Sequence, residues 1–164
     1  MSPRLSQAPA LTAPHGLAIH AMSAGLLERV QAFEAALREY PQAEIGTQHL
    51  FHAGLYARTI CLPAGHELAG ALIQIPTVLI VSGRAQMVTE DGIIEIDGYQ
   101  VIPAAANRRQ AMHAVTDTHM TAIFATQSTT VAEAEAEATP EAARLIRSPS
   151  DLFTGESLCH LPPP

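Results

Sequence analysis

Leu62-Pro-Ala-Gly-His-Glu-Leu-Ala-Gly-Ala-Leu-Ile-Gln-Ile-Pro-Thr-Val-Leu-Ile-Val-Ser-Gly83 is the stretch whose reading decides the fold. It reads as the end of one strand, a tight turn at Pro63-Ala64-Gly65, a strand, and a second strand, Thr77–Val81, closed by Ser82-Gly83. Proline presets the backbone of such a turn and glycine accepts its positive φ. Strand, turn, strand at this spacing opens a small β-barrel. The same stretch carries hydrocarbon side chains where a catalyst would need donors or nucleophiles. It therefore speaks for a fold more than for an activity.

Outward from this stretch the same grammar continues. Tyr56–Leu62 alternates around β-favouring residues, and Arg84–Thr89 is expected to follow a turn at Gly83. Glu90-Asp91-Gly92 and Asp97-Gly98 read as hairpin turns, Asp-Gly favouring the primed type. Tyr99–Ile102, Arg109–Val115 and Thr121–Phe124 complete the strands. Frequent turn signals without intervening helices argue for a sandwich or barrel, here residues 44–126.

Two flanks differ in pattern. In residues 1–43, Pro3, Pro9 and Pro14 break any period, and residues 1–22 read as a flexible or draped arm. From Ser23, a plausible N-cap, Leu26, Val30, Phe33, Leu37 and Tyr40 recur at helical spacing and predict one apolar face. Glu34 and Arg38 fall on the opposite side as a helix ion pair, and Pro41 ends the helix. In residues 127–164, Thr130-Val-Ala-Glu133 is a capping-box pattern ahead of Ala-Glu repeats. Glu133, Glu135 and Glu137 read as a solvated face. Thr139-Pro140-Glu141 restarts a short helix through Ile146, and residues 148–164, ending Pro162-Pro163-Pro164, read as an extended tail.

Composition narrows the function classes. The 164 residues fit one domain, with a formal charge of -7 and no Trp. Nucleic-acid binding needs clustered Lys and Arg or aromatic platforms; the only basic pair is Arg108-Arg109. A membrane helix needs roughly 20 apolar residues, and runs such as Val78–Val81 are far too short. No secretory signal is evident. Cys61 and Cys159 are expected to be reduced thiols of a cytoplasmic protein rather than a bridge. No Gly-x-Ser-x-Gly elbow or phosphate-cradling glycine loop occurs. Glu90-Asp91 reads as turn former rather than acid–base pair.

The turn Pro63-Ala64-Gly65, the pair Ser82-Gly83 and the segment Asp97-Gly-Tyr-Gln-Val-Ile-Pro103 together resemble the cupin superfamily. Gly54–Ile60, Gly70, Val88–Gly92 and Asp117-Thr118 look, more narrowly, like small cupin-like proteins of bacteriophages and prophages. The resemblance covers about half the chain. It implies a mainly β fold, a cupin-like double-stranded β-helix or jelly-roll barrel, to which the flanks add an N-terminal amphipathic helix and a helical, Pro-rich C-terminal extension. Cupin enzymes hold a divalent metal through two His and a carboxylate of a first motif and a His of a second. Counted from Gly65, the resemblance puts those positions at Ala71, Ile73, Thr77 and Arg108; the phage group has His near positions 73 and 77. A methyl or sec-butyl group offers no lone pair, and Arg108 would bring a positive charge to a cation's place. No metal ligand, catalytic residue or cofactor is therefore assigned.

In this register Ala71, Ile73, Thr77, Leu79 and Val81 point inward with Arg108, Gln110 and Met112. The interior is expected to be either a filled core or a small-molecule pocket. The candidate ligand-binding residues are Arg108, Gln110, Met112, Thr77 and Ile73. His49-x-x-His52 is a poor chelate on a strand, where i and i+3 face opposite sides. His52, His66 and His113 are considered for convergence at one barrel mouth, while His66 and Glu67 read as solvated and His119 as a surface or interface residue. Three readings stay open: a non-enzymatic phage- or prophage-type accessory protein that binds or assembles as a homo-oligomer; a metal-dependent cupin enzyme, an isomerase or dioxygenase, using displaced His residues; and a small-molecule sensor with Arg108 as anion anchor. No nucleic-acid or membrane partner is expected.

Overall fold

The computed structural model describes residues 16–145. The expectations for residues 1–15, for Ile146, for Cys159 and for the tail at 148–164 lie outside them. In chain order the elements are α1 (Ala24–Leu37), β1 (Thr47–His52), β2 (Leu55–Leu62), β3 (Glu67–Ile73), β4 (Thr77–Thr89), β5 (Gly92–Ala104), β6 (Arg108–Ala114), β7 (Thr118–Ala125), α2 (Val131–Ala138) and a 3-10 turn at Ala142–Arg144. No helix among the described residues is long and apolar enough to cross a membrane.

All seven strands pair antiparallel, and β4 is the hinge of the arrangement. One edge of β4 pairs with β5 over its whole length, Thr77↔Ala104 to Thr89↔Gly92. Its other edge is shared: Val78–Ser82 takes β7, and Ala85–Met87 takes β6. The strand thus belongs to two layers, β1-β2-β7-β4-β5 and β3-β6-β4-β5, and the sheet curls around a common interior. Leu62, Leu79, Val81, Met87, Ile102 and Ala114 fill it with no more than 2% exposure.

Gly83 sits at the changeover, opposite Gly98 in the β4–β5 ladder. This corrects two expectations: neither Ser82-Gly83 nor Asp97-Gly98 is a turn, because both lie inside long strands. Gly83 has φ +135°, and a Cβ there would meet Thr118 Oγ1 at 2.6 Å and Asp117 O at 2.7 Å. The glycine lets β4 bend against the start of β7. The Glu90-Asp91 turn does form, but it is not primed. Neither residue has positive φ; Gly92 alone takes it, at 115°. Pro63-Ala64-Gly65 turns as expected, with the His66 N–H donating to Pro63 O (3.2 Å) and Gly65 at φ +77°.

Ser23 caps α1, its hydroxyl accepting from the Leu26 N–H. The buried face is Leu26, Val30 and Glu34, whereas Phe33 and Tyr40 are exposed. The helix stops at Leu37, so Tyr40 lies past its end. Leu26 and Val30 pack with Met22 and Ala111 on the outside of β6. Glu34 turns inward because basic groups from other elements meet it there: Arg109 at 3.6 Å and Arg144 at 3.0 Å. Sequence spacing cannot foresee a carboxylate chosen by a distant guanidinium. Residues before the helix are draped, Ile19 bridging parallel to Ala104 through two backbone bonds. Cys61 is buried and disulfide-bonded, which corrects the reduced-thiol expectation; two cysteines far apart in sequence carry no distance information.

A cavity inside the barrel with an unpaired arginine

The inward faces of β2, β3, β4, β6 and β7 enclose a cavity of about 110 Å³. Strand alternation places Arg108 and Gln110 of β6 on its wall and turns Arg109 and Ala111 outward toward α1. From β3, a register shift between Ala69 and Leu72 lets Gly70 and Ala71 as well as Ile73 reach the wall. Gly70 lies close against Gln110, where a Cβ would sit 3.4 Å from the Gln110 Cβ. Thr77 and Leu79 of β4, with Met120 and Ala122 of β7, complete an apolar lining.

The structure therefore brings Arg108, Gln110, Thr77 and Ile73 together. Met112 is buried but packs in the core and does not line the cavity. Ala71, Ile73, Thr77 and Arg108, the positions a cupin metal would use, all meet on this one wall. Among the described residues no three His, Cys, Asp or Glu come together to hold a metal ion. His49 Nδ1 lies 2.7 Å from the Tyr56 hydroxyl, His52 is exposed, His66 Nδ1 bonds the Ala64 carbonyl, and His113 stands 3.9 Å from Glu67. The convergence of His52, His66 and His113 at a barrel mouth is thus not found. A divalent metal does not fit the four motif positions Ala71, Ile73, Thr77 and Arg108, which offer hydrocarbon, one hydroxyl and a guanidinium.

Arg108 is 3% exposed. Its Nη1 donates to Ala105 O and its Nη2 to Thr77 Oγ1, both at 2.7 Å. Its Nε is buried and has no partner among the described residues. No described carboxylate forms an ion pair with it, and burial pushes its pKa down to about 10. The neighbouring arginines are placed differently. Arg109 makes a two-pronged pair with Glu141, at 2.6 and 3.0 Å. Arg144 lies 3.0 Å from Glu34 and Arg58 lies 3.6 Å from Glu135. A buried charge without a counter-charge is costly, and among the described residues Arg108 is the one buried arginine in that position.

The C-terminal segment closes one side of the cavity with Glu135, Ala138, Thr139, Arg144 and Leu145. Thr130 caps α2 by accepting from the Glu133 N–H, and the Glu133 carboxylate accepts from the Thr129 N–H; hydrogen bonds from the Thr130 side chain and then the Thr129 backbone lower the Glu133 pKa. Ala134 and Ala138 pack on Tyr56 and Phe124. Glu135 is 2% exposed, which corrects the solvated-face reading of the Glu run. Glu133 and Glu137 are exposed as expected, and Glu137 accepts from the Thr126 hydroxyl. The available signal was the small-residue spacing Ala134–Ala138, which lets the helix approach closely. Past Pro140, Glu141 anchors the segment by accepting from Arg109 and from the Leu72 N–H. The Arg109 hydrogen bond, the largest cause, holds the Glu141 carboxyl below the usual carboxylate range.

No protein-family model and no curated protein matches the chain. The fold is mainly β, a curled antiparallel sheet with flanking helices. Some solved structures are similar in part. A cupin superfamily protein from Desulfitobacterium hafniense is similar over 57% of this chain and 87% of its own, at 17% identity and a TM-score of 0.44. A salicylate 1,2-dioxygenase from Pseudoaminobacter salicylatoxidans is similar over 65% of this chain at 13% identity and a TM-score of 0.43. A protein of unknown function from Streptococcus pyogenes covers 54% at 20% identity and a TM-score of 0.39. The matched region spans 34% of the dioxygenase's length, and the dioxygenase's activity is its own.

Proposed function

We propose that this protein is a non-catalytic, cupin-like binding protein whose barrel interior receives a small molecule without a metal. The observation that carries the reading is the meeting of Ala71, Ile73, Thr77 and Arg108 on one cavity wall. Where a cupin enzyme would fix a cation with imidazoles and a carboxylate, this chain fixes a covalently attached cation and bonds it to the Thr77 hydroxyl. A site of this kind can bind and orient; the carboxylate on its lining, Glu135, faces Arg58 at 3.6 Å. A phage- or prophage-type accessory setting belongs to the reading on the strength of the sequence motifs alone. Elemental analysis tests it: the purified protein should carry no stoichiometric Fe, Mn, Ni or Zn and should not rebind them tightly. One tightly held metal per chain would overturn the reading in favour of a metalloenzyme using displaced His residues.

A homo-oligomer is part of the proposal for a separate reason. Two outward rows cross the larger layer, Leu50, Ala57, Ile123, Val78 and Pro103, then Gln48, Thr59, Thr121, Ile80 and Val101. None of the ten is charged, and Leu50 is 61% exposed. Five strands about 4.8 Å apart, with each row covering about 6.8 Å of strand, make this patch roughly 330 Å² per copy, so a stable dimer also buries surface beside it. A second copy supplies the matching uncharged surface. Light scattering should give a dimer or larger; a monomer at all concentrations would remove this part.

A further inference from the structure

We propose that the ligand is a small carboxylate of about four to six non-hydrogen atoms, its carboxylate on Arg108 and its hydrocarbon end against Leu79 and Met120. This inference rests on the metal-free binding reading above and adds the charge and size class of what is bound. Three observations carry it. First, size: apolar cavities of about 150 Å³ take benzene, so about 110 Å³ takes a slightly smaller guest. Second, charge: Arg58 faces Glu135, and Arg144 faces Glu34 and Glu141. Arg108 has no carboxylate opposite it among the described residues, so the counter-charge comes with the ligand. Third, donors: Nη1 bonds Ala105 O and Ile75 O, and Nη2 bonds Thr77 Oγ1. The Nε–H has no partner among the described residues. Nε and Nη2 lie along one edge of a guanidinium, the edge that accepts a carboxylate two-pronged. Thr77 and Ala105 hold the guanidinium plane, so little order is lost when the anion arrives.

The lining also says what is refused. An ammonium would face a like charge at Arg108. A phosphate would bring a second charge and a third oxygen to a lining that also holds Ala71, Ile73, Leu79 and the Glu135 carboxylate.

The test uses the full chain, dialysed against chelator, and four probes at tens of millimolar and equal ionic strength: butyrate, butyramide, butylammonium and phosphate. Butyrate should raise the melting temperature, since a ligand bound only by the folded state stabilises it; the other three should leave it unchanged. In R108M the butyrate response should vanish, and in R108K calorimetry should show binding at least about tenfold weaker. Should R108M fail to fold, R108K and the butyrate–butyramide pair on the wild type still decide. Equal shifts with butyrate and butyramide, an unchanged response in R108M, or no shift with butyrate overturns the carboxylate assignment. Metal content of the same sample is read separately, so a failed metal-free reading is distinguishable from a failed ligand class.

Discussion

Replacing Arg108 by Met should change the stability of the ligand-free protein by no more than about 1 kcal/mol. Burial lowers the pKa of this guanidinium to about 10, and at ~1.4 kcal/mol for each tenfold change this amounts to about 3 kcal/mol against keeping the charge inside. Arg108 recovers it through its hydrogen bonds to Ala105 O and Thr77 Oγ1, since bonds from a charged group are worth about 1.5–3 kcal/mol each. Met nearly matches its length, adds no charge and suits an apolar wall. The two sides nearly cancel, so R108M should melt within roughly 2–4 °C of the wild type for a chain of this size. Urea unfolding of dialysed wild type and variant, with equal m values, measures it. The wild type should also gain stability as pH rises above about 10, because there the unfolded chain binds the proton more tightly; R108M should lack that gain. A variant less stable than the wild type by about 2 kcal/mol or more would refute the reasoning, because Arg108 would then be holding the fold rather than waiting for a partner.

Other substitutions test the frame around the cavity. Glu141, held below its ordinary 4.5 by Arg109, contributes stability that is fully present above 4.5 and is lost as pH falls through its lower folded value. E141Q should cost about 2–4 kcal/mol at neutral pH and flatten that acid-side loss; urea midpoints across a pH series giving a parallel curve would count against the clamp. G83A should cost about 2–4 kcal/mol, because its Cβ would fall 2.6 Å from Thr118 Oγ1. G54A, at φ +74° with nothing within 4 Å, should cost only about 1 kcal/mol, and equal melting shifts would remove the close-approach argument.

The strands and the cavity wall were legible because alternation is a local property. Inward and outward residues follow by alternation on β4 for Thr77 and Leu79 and on β6 for Arg108 and Gln110, whereas β3 departs from it at the register shift between Ala69 and Leu72. The Asp-Gly pairs misled because a glycine needed for positive φ looks alike in a turn and inside a bent strand; Gly98, at φ +80° opposite Gly83, is the second kind. Glu34 and Glu135 misled for a different reason. Both are buried by arginines far away in sequence, Arg109 and Arg144 for the first and Arg58 for the second. No window along the chain contains that pairing. The cap formed by α2 and Thr139–Leu145 was visible as helix but not as a wall, since what a helix covers is settled by the fold alone.

The most direct measurement is the NMR signal of the Arg108 Nε–H, identified by its loss in R108M. Its buried, partnerless state predicts a large, saturable shift on adding butyrate and none on adding butyramide. Butyrate binding, seen by calorimetry, that leaves this signal in place would contradict the account, because the anion would then sit somewhere other than on the one buried guanidinium that, among the described residues, has no carboxylate facing it.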